Sequence, residues 1–277
     1  MPYAERDGLR LYYERAGSGE PELLFVPGWC CDHTFFAPQV EHFAHAHAVT
    51  ALALRGCGRS DVPDHGYDIP TLADDVAWFC DEVGIEQPIV VGHSLGGMIA
   101  IELAARHPYV PRALVAVDPG PVHATDLAGQ LFRGFAARMT GPAGEDVRRA
   151  WVEEGVGPTA DDELRRKIVG TMCAVPLPVA RAAIEGAAEW DGAAALMLCE
   201  LPLLVIRSSV GGSNDPVRLR ELKGDTQFAM TVGAGHFHQL EVPEQVNPMI
   251  ERFLELRGLS ARGGDETIAS PKERRPR

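Results

Sequence analysis

The stretch Pro88-Ile-Val-Val-Gly-His-Ser-Leu-Gly-Gly-Met98 decides the fold of this chain. It predicts a short apolar strand, a tight turn of the form Gly-x-Ser-x-Gly and the start of a helix. The glycines on either side of Ser94 remove Cβ atoms that would collide in such a turn, so the serine is lifted above the sheet edge. The new helix directs the Leu95 N–H and its positive dipole end at any oxyanion forming beside Ser94. These features predict a nucleophilic serine.

Short apolar segments and helical patterns alternate on both sides of this stretch. Apolar residues recur at helical spacing over 72–83, and a second helix over 98–106 follows a strand directly. Continuous apolar strands separated by helices indicate a sheet that is buried on both faces and mostly parallel. We therefore predict an α/β protein with helices on both faces of a central sheet. The predicted strands are 9–13, 23–26, 49–54, 89–91, 113–117, 203–206 and 228–232.

The strand pattern is interrupted between residues 121 and 200, where the sequence predicts only amphipathic helices, among them 145–154, 161–172 and 178–190. A helical block between two strands of one sheet is typical of an inserted lid. The predicted organisation is a core of residues 1–120 and 201–259, a helical lid at 121–200 and a disordered tail at 260–277, where apolar residues become rare.

Charge and composition limit the partners. The 277 residues contain 26 Lys and Arg against 39 Asp and Glu, a formal charge of −13, which opposes binding to nucleic acid or an anionic membrane. Apolar runs fall short of the roughly 20 residues of a membrane span, and residues 1–15 lack the apolar stretch of a secretory signal. The six cysteines form no Cys-x-x-Cys pair, which favours reduced thiols. We expect a cytoplasmic protein with a small-molecule substrate.

Several motifs together resemble the α/β-hydrolase superfamily, and the resemblance extends along the chain to Leu259. The turn at Ser94 matches the nucleophile elbow of that family. Phe25-Val-Pro-Gly-Trp29 is similar to the loop that supplies a second oxyanion donor, although Pro27 replaces a frequent histidine. The resemblance implies the backbone N–H groups of Trp29 and Leu95 as the oxyanion hole. Arg55-Gly-Cys-Gly-Arg-Ser60 is similar to a structural turn of the family, so we assign Arg55 no catalytic role.

A serine hydroxyl needs a base, and the chain contains ten histidines. His236 lies in Gly233-Ala-Gly-His-Phe-His238, after the last predicted strand, and this segment looks like the late histidine loop of the family. In the superfamily the order along the chain is serine, acid, histidine. We therefore predict His236 as the general base and regard His238 as the less favoured candidate.

Two aspartates compete for the acid that orients the histidine. Asp118 ends a predicted strand, at the position where a minority of the family carries its acid. Asp215 follows the next strand, near the position more common in the family, but it is separated from Arg207 by eight residues and precedes Pro216. An Asp-Pro pair is also what opens a helix, as N-cap and first helical residue. We favour Asp118 and keep Asp215 as the alternative.

The segment Pro27-Gly-Trp-Cys-Cys-Asp-His33 bears on the reaction. It is similar to a loop of the cofactor-independent ring-cleaving dioxygenases that share this fold. Cys31 stands where those enzymes carry a histidine, and Leu95 follows the serine where they also have a histidine, so the departures favour hydrolysis. Cys30 and Cys31 are poor candidates for nucleophiles, because no base or helix N-terminus is predicted beside them.

These expectations define a serine hydrolase that cleaves a small ester, thioester or lactone with Ser94, His236 and Asp118. A cofactor-independent dioxygenase of a heteroaromatic compound and a non-catalytic small-molecule receptor are the alternatives. We predict no cofactor and no metal, since His42, His45 and His47 lack a carboxylate partner at metal-binding spacing. Phe132, Phe135, Trp151, Met172 and Trp190 of the lid are candidates either for an apolar substrate pocket or for lid core.

Overall fold

The computed structural model describes residues 2–122, 126–210 and 214–261, so all but the first two residues of the predicted tail lie outside it. Its centre is an eight-stranded sheet with the order β1-β2-β4-β3-β5-β6-β7-β8. The strands are β1 (Tyr3–Arg6), β2 (Leu9–Ala16), β3 (Leu23–Val26), β4 (Val49–Leu52), β5 (Ile89–His93), β6 (Ala113–Val117), β7 (Leu203–Arg207) and β8 (Gln227–Met230).

The sheet is mixed and mostly parallel, which confirms the predicted mostly parallel sheet. The pairings from β4 through β3, β5, β6 and β7 to β8 are parallel, while β1 with β2 and β2 with β4 are antiparallel. The central strands β3, β5 and β6 are buried along their whole length, which explains the continuous apolar sequences of β3 and β6 and of Ile89–Val91 in β5. Strand β1 was not predicted, because it buries only Ala4 among charged and polar neighbours.

Helices cover both faces, as predicted. Successive residues of β5 point to opposite faces: Val90 packs in one hydrophobic cluster, while Ile89 and Val91 pack in the other. The helices of the core are α1 (Ala37–Phe43), α2 (Ile69–Val83), α3 (Leu95–Arg106), α9 (Pro216–Leu222), α10 (His238–Glu241) and α11 (Pro243–Leu256). The first cluster includes residues of α2 and α3, and the second includes residues of α1 and α11.

The helical region inserted between β6 and β7 contains α4 (Asp126–Arg138), α5 (Gly144–Gly155), α6 (Asp162–Ala174), α7 (Leu177–Ala188) and α8 (Gly192–Leu198). Three of these match the predicted helices within a few residues. Asp161 is the N-cap of helix α6: its carboxylate accepts a hydrogen bond from the Leu164 N–H at 2.8 Å.

Within the described ranges no single helix has the length and apolar character of a membrane span. Only α6 and α7 taken together do, and the chain bends by 91° between them. All six cysteines are free, and five of them are buried.

Candidate active site

Ser94 stands at the turn between β5 and α3 with φ 52° and ψ −115°. Such a backbone is strained for a residue with a Cβ atom, and strain of this kind is concentrated at functional sites. Close packing around the turn explains the neighbouring glycines: a Cβ atom on Gly92 would lie 2.1 Å from the Gly96 carbonyl oxygen. The turn therefore has the geometry that the Gly-x-Ser-x-Gly pattern predicts.

His236 and Asp118 are brought together from the two parts of the chain that flank the inserted helices. The Asp118 Oδ2 atom lies 2.7 Å from His236 Nδ1. Asp118 follows β6 with φ 40°, so its backbone, like that of Ser94, is in the left-handed region. An ionised carboxylate accepts a hydrogen bond from the Nδ1–H of the imidazole, and the Nε2 atom is then left free to take a proton.

The Asp118 carboxylate is held ionised in a buried position. Its Oδ1 atom accepts a hydrogen bond from the Ser208 N–H at 3.1 Å. Burial by itself raises the pKa of the Asp118 carboxyl, but the hydrogen bond to His236 and the charge of that histidine outweigh burial and lower the pKa to about 2. At neutral pH Asp118 is therefore an anion facing His236.

His93, the residue before Ser94, connects the turn to the histidine loop. Its Nε2–H donates to the His236 carbonyl oxygen at 2.9 Å, and the two rings lie 4.7 Å apart between centroids. Burial lowers the pKa of His93 well below its ordinary value, and the proximity of His236 lowers it further. A neutral His93 thus places the His236 loop beside Ser94. This contact was not predicted, because nothing in the sequence pattern shows which atom His93 would meet.

Glu241 fixes the same loop to the inserted helical region. Its carboxylate accepts hydrogen bonds from the Gly235 N–H at 3.0 Å, the Gly157 N–H at 3.2 Å and the Thr159 hydroxyl at 2.9 Å. The His236 N–H also donates to the Gly155 carbonyl at 2.8 Å. The segment between α5 and α6 thus holds the histidine loop in place, a role for Glu241 that no sequence signal indicated.

The two candidate oxyanion donors lie on facing segments. A Cβ atom on Gly28 would lie 3.1 Å from the Ser94 Cβ, so the loop before Trp29 passes directly over the serine. The Cys31 N–H donates to the Gly28 carbonyl at 3.1 Å, which closes a tight turn with Cys30 at φ 57°. Among the described residues neither the Trp29 N–H nor the Leu95 N–H has a hydrogen-bond acceptor. Both amides are therefore available to a ligand.

Asp215, the alternative acid, lies elsewhere. It is exposed and caps α9, with its carboxylate accepting from the Val217 N–H at 2.9 Å. Its neighbour Asn214 is buried and donates to the Pro119 and Gly120 carbonyls at 2.8 and 3.0 Å. Asn214 thus supports the segment after Asp118, a role that was not predicted from the sequence.

The other sequence candidates occupy structural positions. Burial raises the pKa of the Cys30 and Cys31 thiols well above the ordinary value, so both are neutral thiols at pH 7. The His47 side chain is buried and lies 2.8 Å from the Pro21 carbonyl, whereas His42 is exposed and pairs with Glu251 at the surface. Within the described ranges no group of three or more His, Cys, Asp or Glu side chains is arranged to hold a metal ion.

His238 is fully buried, and its Nδ1 atom lies 3.0 Å from the Thr231 hydroxyl. Burial lowers the pKa of His238 from 6.5 to about 4. Between these two values the unfolded chain binds a proton that the folded protein excludes. The part of the folding stability that depends on a neutral His238 is therefore fully present above pH 6.5 and decreases as the pH falls toward 4.

We expect His238→Asn to remove part of this acid sensitivity. The wild type should lose on the order of 2 to 3 kcal/mol more than the variant when urea unfolding is compared at pH 7.5 and pH 4.5. The asparagine amide can replace the contact with Thr231. The matched control is His45→Asn at an exposed position, which should keep the wild-type slope. Equal losses in all three proteins would show that His238 does not carry the effect.

An eight-stranded sheet with a strained serine between a strand and a helix, and with helices inserted between β6 and β7, is the architecture of an α/β hydrolase. Comparison with known families agrees. Residues 21–165, just over half of the chain, match the family described as alpha/beta hydrolase fold. The chain belongs to that family.

Similar proteins act on different substrates. The chain is 38% identical over 117 residues to a dihydrolipoyllysine-residue acetyltransferase component of an acetoin cleaving system from Cupriavidus necator; the match covers 42% of this chain and 31% of that protein. The chain therefore spans less than a third of that relative. A 2-(acetamidomethylene)succinate hydrolase from Mesorhizobium japonicum is 27% identical, with 89% of this chain and 92% of the relative covered.

Solved structures give the same fold. The enol-lactonase from Burkholderia xenovorans superimposes with a TM-score of 0.82 at 20% identity, covering 92% of this chain and all of that one. At this identity the likeness concerns the fold alone.

Proposed function

We propose that the protein is a serine hydrolase that cleaves a small ester, thioester or lactone, with Ser94 as nucleophile, His236 as general base and Asp118 as the acid that orients it. The observation that carries the proposal is the 2.7 Å contact between Asp118 Oδ2 and His236 Nδ1, next to a strained serine. The partner of the protein is then a small-molecule substrate.

The chemistry follows from these positions. The Ser94 Oγ forms a bond to the substrate carbonyl carbon while its proton passes to His236 Nε2. The Trp29 and Leu95 N–H groups stabilise the oxyanion that results. When the carbon–oxygen or carbon–sulfur bond to the leaving group breaks, His236 returns the proton to that group. Water then attacks the acyl-serine, loses a proton to His236 and releases the acid and free Ser94.

A fluorophosphonate probe tests the proposal without knowledge of the substrate. We expect one equivalent of label on Ser94, located by peptide mass mapping, because an activated serine attacks phosphorus as it attacks a carbonyl. The variant Ser94→Ala should take up no label. A folded wild type that a small fluorophosphonate leaves unmodified would contradict the proposal.

If Ser94 is not labelled, the dioxygenase and the receptor remain as the two alternatives. Oxygen consumption with a hydroxylated heteroaromatic compound would indicate the dioxygenase reaction suggested by the Trp29 loop. Tight ligand binding without turnover would indicate a receptor. Neither alternative requires an activated Ser94, so labelling separates both from hydrolysis.

A further inference from the structure

A small cavity of about 20 Å³ is lined in part by Trp29 and Leu95, the two residues that carry the candidate oxyanion donors. Helix α7 supplies part of its wall, and the loop after β3 supplies another. The lining residues on which the argument depends are Trp29, Leu95, Arg55, Tyr67, Val179 and Ala180. None of the five lid side chains singled out in the sequence belongs to this lining; Phe135, for example, stacks on Trp151 at 4.1 Å.

The position of the cavity identifies the part of a substrate that it would hold. In the reaction proposed above, the carbonyl oxygen points at the Trp29 and Leu95 amides, and the leaving group must face His236, which protonates it. No residue of the 233–241 loop lines the cavity. Because the lining includes both oxyanion residues and none of the loop that meets the leaving group, the acyl group is the part of the substrate that the cavity would hold.

The lining offers a ligand an apolar surface, because its polar side chains are already hydrogen-bonded to other groups of the protein. Arg55 is the one charged residue of the lining, and its Nε and Nη2 atoms each donate to the buried Asp75 carboxylate at 2.5 Å. The Tyr67 hydroxyl donates to the Pro63 carbonyl at 2.6 Å, and the Trp29 Nε1–H donates to the Ala180 carbonyl at 2.7 Å. An acyl group bearing a carboxylate would find no free cation in this lining.

The cavity is also short, and its wall is tightly packed. Each water-sized group needs roughly 10 to 15 Å³ of such volume, so about 20 Å³ corresponds to one or two small groups. A Cβ atom on Gly56 would lie 2.5 Å from Val179 Cγ1 and 2.9 Å from Tyr67 Cε1. Val179 therefore packs closely against the loop after β4, and the hydrogen bond from Trp29 Nε1 to the Ala180 carbonyl connects the same helix to the loop after β3.

We propose that this cavity is the acyl pocket, and that the substrates are neutral esters or thioesters of acids with two or three carbons. This proposal rests on the proposed function and narrows its substrate class. A long acyl chain would not fit the cavity, and a lactone is excluded because its acyl part is joined in a ring to its alcohol part.

The test compares p-nitrophenyl esters that share a leaving group and differ in acyl length. We expect kcat/KM for acetate and propionate to agree within about tenfold and hexanoate to be at least about 100-fold lower, since one methylene in an apolar pocket changes the rate by roughly 10- to 200-fold. Val179→Ala should raise the ratio of butyrate to acetate by about tenfold, because it opens the pocket toward Gly56. Val169→Ala, a buried valine of α6 outside the lining, should leave the ratio unchanged.

Fluorophosphonate labelling of the same preparations separates the two proposals. Labelling of Ser94 together with equal rates for acetate and hexanoate, or with a ratio that Val179→Ala does not change, would overturn the acyl pocket and leave the hydrolase intact. Absence of both labelling and ester cleavage would overturn the hydrolase and the pocket with it.

Discussion

Ser94→Ala should lower kcat for p-nitrophenyl acetate by about 10⁴-fold or more while leaving the fold unchanged. The hydroxyl is the only group of Ser94 that the proposed mechanism uses, and without it no acyl-enzyme can form. A residual rate of roughly 10³ to 10⁴ over water from the oxyanion donors and substrate binding is common in enzymes that lack their nucleophile. Steady-state kinetics and far-ultraviolet circular dichroism measure the two parts of the prediction.

The control for this substitution is Ser18→Ala, an exposed serine far along the chain from the site. It should keep the wild-type kcat and the wild-type spectrum. If Ser94→Ala keeps kcat within about tenfold of the wild type, another group attacks the ester and Ser94 is not the nucleophile.

The central strands and the turn at Ser94 were accessible to sequence reasoning because their signals are local. Strands β3, β5 and β6 are buried on both faces, so β3 and β6 are apolar throughout and β5 is apolar up to Gly92. The glycines around Ser94 are required by contacts within a few residues of one another. Strand β1 has neither property: it lies at the sheet edge and buries one of its four residues.

The contacts that complete the site join residues far apart in sequence, and no local pattern encodes them. Asp118 and His236 are 118 residues apart, and Glu241 and Gly157 are 84 apart. The sequence could name aspartates at the ends of neighbouring strands, but only the fold determines which one faces the imidazole. The cavity wall was not predictable for the same reason. Helix α7 and the loop after β3 both contribute to it, and how they meet depends on the packing of the inserted helices.

Asp118→Asn should lower kcat for p-nitrophenyl acetate by about 10³- to 10⁴-fold, with KM within about threefold of the wild type. An asparagine amide can donate a hydrogen bond to His236 Nδ1, which leaves the imidazole proton on Nε2. That nitrogen can no longer accept the Ser94 proton, so the chemical step slows while substrate binding persists. Kinetics at pH 7.5, with circular dichroism as the check on folding, measure the effect.

Asp215→Asn is the matched control, because the two aspartates were the competing candidates and both undergo the same substitution. Asparagine is as good an N-cap as aspartate, so the contact with the Val217 N–H survives and kcat should change by less than about twofold. The opposite result, a large loss in Asp215→Asn and little change in Asp118→Asn, would mean that the histidine loop turns toward α9 during catalysis. The carboxylate 2.7 Å from His236 would then serve only to hold the resting loop.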